Sequence, residues 1–294
     1  MNNLLYRFTK LALAVCAMLI LCVFAADVRA APSADPNFGR RVAPPESGSA
    51  KPRIWIFMGH PGDEVRMKRY GETIEKIDKT LEERFGYSSD EMTILFGEGG
   101  FRSYQACNRE NLEREMDRMA RLSQDGRPIW VFFFGHSNST RTGVNFNVPG
   151  SDPSSRDLGR ALDQIPLSTP VTVFMTTAAA GKYLRHFALP GRMVVCADAG
   201  EGKDNEPEFP HALAETLEDG MSDTNQDGYL SVLEIFNETK RRVEEIYKEE
   251  ELIQNEKALL DGDGDGRGTS LPAKKDAEPA EERKIKIEST KVFI

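Results

Sequence analysis

Cysteine is scarce in this chain, and that scarcity sets the first limit. Four cysteines occur in 294 residues, and Cys16 and Cys22 fall within the first thirty. Only Cys107 and Cys196 remain beyond them, too few for a disulfide framework. Basic residues are in deficit as well: 38 Lys and Arg stand against 47 Asp and Glu, a formal charge of −9. That balance argues against nucleic acid and anionic membrane surfaces as partners and suits cation binding. Long apolar runs are missing beyond the N-terminus, and solenoid-type repeats are missing throughout.

The N-terminal apolar run is short for a membrane span, which needs ~20 residues. Arg7 and Lys10 precede an apolar stretch, Leu11–Ala26, and Val28-Arg29-Ala30 offers a cleavage site. Residues 1–30 therefore read as a signal peptide, with an uncleaved anchor as the alternative. Cys22 follows Leu21 with no small residue before it, which disfavours a lipoprotein. Cleavage predicts an exported chain, periplasmic or secreted, with no membrane span and a charge of −11. Residues 31–52, rich in Pro, Ser, Gly and Ala, read as a disordered linker.

The run Ile129–Phe134 (IWVFFF) is apolar at six consecutive positions. A half-exposed strand alternates, so this pattern predicts a central parallel strand covered on both faces. Gly135 breaks it, and His136 follows at the carboxyl end, where open α/β sheets place their ligands. The plainer alternative is a satisfied, half-buried histidine. Further strands are predicted at Arg53–Met58, Met92–Phe96, Pro170–Met175 and Arg192–Ala197. After His136 the polar run SNSTRTG reads as a loop, followed by a short edge strand or hairpin arm at Val144–Val148. Between them, Tyr70, Ile74, Ile77, Leu81 and Phe85 form one helical stripe. Leu112, Met116, Met119 and Leu122 form another, capped by Asn108, and Leu158 to Ile165 a third. Such alternation predicts one α/β domain over residues 53–206 with a mostly parallel sheet. Residues 207–260 read as a helical segment, its last helix running from Val232 to Leu260. Residues 261–294 read as an acidic loop and a disordered tail.

Asp223, Asn225, Asp227, Tyr229, Ser231 and Glu234 lie at calcium-loop spacing, with Gly228 at the sharp turn. Short oxygen side chains alternate around the ion, Tyr229 offers its carbonyl, Ser231 holds a water, and Glu234 closes the site with two oxygens. Calcium is the expected cofactor at residues 223–234; the alternative is a capped acidic loop without an ion. Asp261, Asp263 and Asp265 repeat the first half of the template, but its twelfth position is Pro272. One helix over residues 231–259 would hold the two loops ~40 Å apart, at 1.5 Å per residue.

Taken in order, FFFGHS, FNVPG, VFMTTAAAG, PGRMVVCAD, DTNQDGYLSVLE and LLDGDGDGRG resemble bacterial caspase-like proteins related to the legumain-type (C13) cysteine peptidases. The resemblance covers residues 51–268. It implies a caspase-like three-layer α/β/α sandwich with strand order 2-1-3-4-5, carrying a helical extension with an EF-hand-like loop. It also implies a His–Cys dyad in which His136 matches the histidine. Aligning on Gly181 puts Ala178 where the family has its thiol, and a methyl group cannot replace a thiolate. The resemblance thus implies a pseudoenzyme, a binding or structural domain for an unknown peptide or protein. An active peptidase would need another nucleophile, for which Thr176 and Thr177 are the candidates. Cys107 precedes a helix that could lower its pKa, yet the implied strand order places it ~10 Å from His136 and ~19 Å from Cys196, at ~4.8 Å per strand. Both thiols are therefore expected free.

His60-Pro61-Gly62-Asp63-Glu64 is similar to the HPDDE motif of zinc-dependent N-acetylglucosamine deacetylases. That likeness implies a second function, a metal-assisted hydrolase with His60, Asp63 and His136 as ligands. Gly62 stands at the base position, and the plainer alternative is a turn in which Asp63 caps the helix.

Overall fold

The computed structural model describes residues 51–141, 143–199 and 206–288. The expected signal peptide, and the expected linker up to residue 50, lie outside them. The linker's last two residues are packed: the buried Pro52 carbonyl accepts from Tyr87 Oη at 2.7 Å.

In chain order the first elements are β1 (Arg53–Met58), α1 (Glu64–Glu83), β2 (Met92–Phe96), α2 (Arg109–Leu122) and β3 (Ile129–Phe134). A hairpin of β4 (Ser137–Thr140) and β5 (Gly143–Phe146) follows, then α3 (Ser155–Leu162), β6 (Val171–Met175), the short α4 (Leu184–Phe187) and β7 (Arg192–Asp198). The remainder is α5 (Phe209–Glu218), β8 (Tyr229–Ser231), α6 (Val232–Glu249), β9 (Lys257–Asp261), α7 (Lys274–Glu282) and β10 (Lys284–Lys286).

The central sheet runs β2-β1-β3-β6-β7-β9. The first five strands are parallel, and β9 joins β7 antiparallel. In chain order those five stand 2-1-3-4-5, the expected arrangement. Helices cover both faces. Ile54, Ile56, Trp130 and Phe132 pack with the α1 stripe and with Leu213 and Ile235 of α5 and α6. Trp55, Phe57, Val131 and Phe133 pack with Met116, Leu158 and Phe187 of α2, α3 and α4. The result is an α/β/α sandwich, and it explains why β3 is apolar at every position: all six side chains are buried. Burial of each large side chain contributes ~1.5–3 kcal/mol. Phe132 and Phe174 add a ring stack at 4.5 Å across adjacent strands.

Three expectations are corrected. Residues after His136, expected as a loop, form β4 and pair with β5. The expected helix to Leu260 stops at Glu249; Glu251 turns to a φ of +54° and Leu252 N–H closes on the Tyr247 carbonyl. Leu252 and Ile253 look like a continued stripe but are exposed, whereas Ala258 and Leu260 alternate inward as strand residues. The two acidic loops are therefore not held apart by a single helix. Lastly, the tail expected to be disordered is ordered to residue 288. Its α7 and β10 dock because Ala280 and Ile285 are buried in the core and β10 pairs with β8. Among the described residues no helix is long and apolar enough to cross a membrane.

Candidate functional site

His136 leaves β3 through Gly135, whose φ is +107°. Its backbone is fixed by Asn147 N–H, which donates to the His136 carbonyl at 3.0 Å, while His60 N–H donates to the Asn147 carbonyl at 2.7 Å. The imidazole lies against the turn after β1: a Cβ on Gly62 would sit 2.7 Å from His136 Nε2. Glycine at 62 thus serves both the positive φ of +93° and the room this ring occupies.

The partner of His136 is Glu206, a residue that no sequence pattern singled out. Glu206 Oε1 is 2.7 Å from His136 Nε2, a close polar contact rather than a well-aligned hydrogen bond. Tyr70 Oη donates to the other oxygen at 2.7 Å, and Arg66 Nε stands 3.7 Å away. Burial pushes the Glu206 carboxyl up, but His136 and then Tyr70 outweigh it and hold it below the ordinary range. Burial and the adjacent Glu206 charge raise the Tyr70 phenol well above its own.

Glu206 closely precedes α5, whose start is held by a buried carboxylate. Glu256 accepts from Glu208 N–H at 2.7 Å and from Phe209 N–H at 3.0 Å, and Arg69 pairs with Glu208. These are the orphan donors of a helix N-terminus, where a carboxylate is favoured. Burial nevertheless pushes Glu256 up to about 7.

At the next strand end no nucleophile is presented. Ala178 is buried, and its carbonyl accepts from Ala199 N–H at 2.8 Å. Thr176 Oγ1 donates to the Phe133 carbonyl at 2.9 Å. Thr177 Oγ1 receives Ser137 Oγ at 2.7 Å, and Ser137 also meets Tyr183 Oη at 2.9 Å. Both threonines are fully buried, so their hydroxyls serve packing. The two cysteines are buried and free, as expected. The expected lowering at Cys107 is overturned, because burial pushes both thiols up.

The zinc constellation does not assemble. Asp63 caps α1 by accepting from Arg66 N–H at 2.9 Å and pairs with the Arg66 guanidinium. The exposed His60 accepts from Gly62 N–H at 3.0 Å through Nδ1. Those contacts belong to the strand-to-helix turn that was the plainer alternative.

The loop 223–234 is wound as its spacing predicts, with Gly228 at a φ of +81°. Asp223 accepts from Asp227 and Gly228 N–H, Asn225 from Asp227 N–H, and Asp227 from Tyr229 N–H. Glu234, however, turns one oxygen to Thr224 and the other to the hydroxyl and N–H of Ser231. The Ser231 hydroxyl in turn accepts from Glu234 N–H, closing a capping box at the start of α6. Lys284 Nζ sits on Asp227 at 2.7 Å.

Among the described residues, the metal-ligand atoms that converge are those of Asp261, Asp263 and Asp276, all within 4.8 Å of one another. Asp261 and Asp276 are buried. Asp276, on α7, brings a third carboxylate to this loop, while Asp265 pairs with Lys275 at 2.8 Å. Lys275 also meets Asp263 at 2.9 Å. Burial pushes Asp261 up to about 6 against the N–H groups of Gly266 and Gly264.

No protein-family model matches this chain. No curated protein matches it either. Among solved structures, a protein from Geobacter sulfurreducens is similar at 12% identity and a TM-score of 0.42, covering 80% of this chain and 98% of that one. A likeness that distant transfers neither fold nor activity.

Proposed function

We propose that this chain is an exported, caspase- and legumain-like domain that binds a peptide or protein partner without cutting it. The observation that carries the reading is the occupation of the strand edge. His136 contacts the carboxylate of Glu206, Ala178, which the resemblance aligns with the thiol, is buried, and the hydroxyls of Thr176 and Thr177 are buried in internal bonds. An imidazole so placed holds or orients a proton, with no thiol beside it to activate among the described residues. Calcium is the cofactor this reading includes. Asp261, Asp263 and Asp276 form a hard oxygen set suited to it, and residues 223–234 supply a second loop whose Glu234 would have to release Thr224. The ion would supply positive charge among buried carboxylates and rigidify the C-terminal segment. A fluorogenic peptide panel tests the reading: no turnover is expected, with or without calcium or zinc. Turnover abolished by His136→Ala would overturn it.

A further inference from the structure

Between the β4–β5 hairpin and the segment after β6, lined by none of the residues that hold His136, is a cavity of about 300 Å³. Its walls include Thr140 and Arg141 from the β4–β5 turn, Lys182 and Arg185 from the segment after β6, and Gly266 from the second acidic loop. Three cations thus converge in a chain whose net charge is −9. Arg141 and Arg185 are exposed, and Arg185 Nη2 reaches to 4.0 Å from the Cβ position of Gly143. Lys182 is tethered, donating to Ser139 Oγ at 3.0 Å. Among the described acids, Asp198 backs onto Gly181 at the rim, while Asp263 and Asp265 of the neighbouring loop are turned to Lys275. The sign of the local field registers on His186, held below its ordinary value by burial and then by Arg185 and Arg156.

The second observation is the strand beside the cavity. Among the described residues β4 pairs with β5 alone, leaving its outer edge open. Asn138, Ser139 and Thr140 are exposed along it, and none is apolar. An open edge accepts an extended chain through main-chain hydrogen bonds, while a pocket beside it selects a side chain. Guanidinium groups favour a carboxylate, which they bind in a bidentate fork.

We infer that the cavity bounded by Arg141, Lys182 and Arg185, with the open edge of β4, is a docking site for an acidic, extended peptide segment of a partner protein, whose Asp or Glu carboxylate enters the cavity. The inference goes beyond the reading of the His136 site and holds whether or not that site turns over a substrate.

Fluorescence anisotropy with a fluorescein-labelled decapeptide carrying Glu at alternate positions tests it, with the Gln counterpart as control and mass spectrometry reporting cleavage separately. The Glu peptide is expected to bind the purified chain at least tenfold tighter than the Gln peptide. Arg141→Glu and Arg185→Glu should each weaken it at least tenfold with melting temperatures unchanged. Equal binding of the two peptides, unaltered binding by both variants, or no binding by the wild type would overturn the inference. Displacement by inorganic phosphate at lower concentration than by free glutamate would overturn it too, marking a phosphate site.

Discussion

Replacing Glu256 by glutamine isolates one buried carboxyl and the helix start that carries Glu206. In the folded chain Glu256 titrates near 7 rather than the ordinary 4.5, because burial disfavours its charge. Between those two values the folded state holds a proton that the unfolded state has released, so stability falls as pH rises from 4.5 to 7 and is level above. Each pH unit across that window is worth ~1.4 kcal/mol, so the full crossing amounts to about 3–4 kcal/mol. For a domain of this size that is roughly 7–14 °C of melting temperature. Glutamine keeps an acceptor for the start of α5 and carries no charge. Because only one of the two acceptors is kept, a pH-independent offset is expected, and thermal denaturation of both proteins from pH 4.5 to 8 should show the wild type losing stability relative to Glu256→Gln as pH rises toward 7. Parallel curves would refute the reasoning, showing that Glu256 is no more costly to ionise folded than unfolded. Glu256→Ala is the complement: it leaves the N–H groups of Glu208 and Phe209 unpaired and should lower stability by about 1–3 kcal/mol near pH 4.5, a deficit that shrinks as the wild type ionises at higher pH.

Calcium at 1 mM should raise the melting temperature, by ~1.4 kcal/mol of stabilisation if the site binds near 10⁻⁴ M. Asp261→Asn or Asp276→Asn should remove most of that rise in a thermal-shift titration, and Glu234→Ala should take a smaller share. Phe132→Ala removes a ring stacked on Phe174 at the centre of the sheet and should cost ~3–5 kcal/mol by urea denaturation. Ile285→Ala, at the buried centre of β10, should cost ~2–5 kcal/mol and raise protease sensitivity near residues 274–288.

The sheet was legible because its central strands are covered on both faces, and a continuous apolar run as short as IWVFFF fits little besides a buried strand. The hairpin was half legible: Val144 and Phe146 alternate, whereas Ser137–Thr140 carries no apolar signal and pairs through its backbone alone. Glu206 was not legible, since one glutamate among Glu201, Asp204 and Glu208 has no spacing that marks it as the partner of a histidine seventy residues before it. The acidic loops were found by spacing, but spacing favoured residues 223–234, and the convergence of carboxylates favours the other loop. The deciding residue, Asp276, lies outside any twelve-residue template and arrives on α7. A hint existed: a loop lacking its closing carboxylate invites a search downstream. Lys284-Ile285-Lys286-Ile287 also alternates like a strand, but the Lys, Glu, Ala and Pro around it have the composition of a solvated tail.

The segment from α7 to β10 clasps both acidic loops: Lys275 and Asp276 meet one, while Glu281 and Lys284 meet Asn225, Ser231 and Asp227 of the other. Arg283, between them, donates to the carbonyls of Val171 at 3.0 Å and Gly191 at 2.6 Å, anchoring the clasp to β6 and the turn before β7. These bonds reach back 112 and 92 positions along the chain. During synthesis, therefore, the module cannot close until residues 274–286 have been made. Loop closure over such separations is slow. Under the proposed export, a chain that threads a translocon before folding gains from that order of events, because its fastener is delivered after the elements it closes.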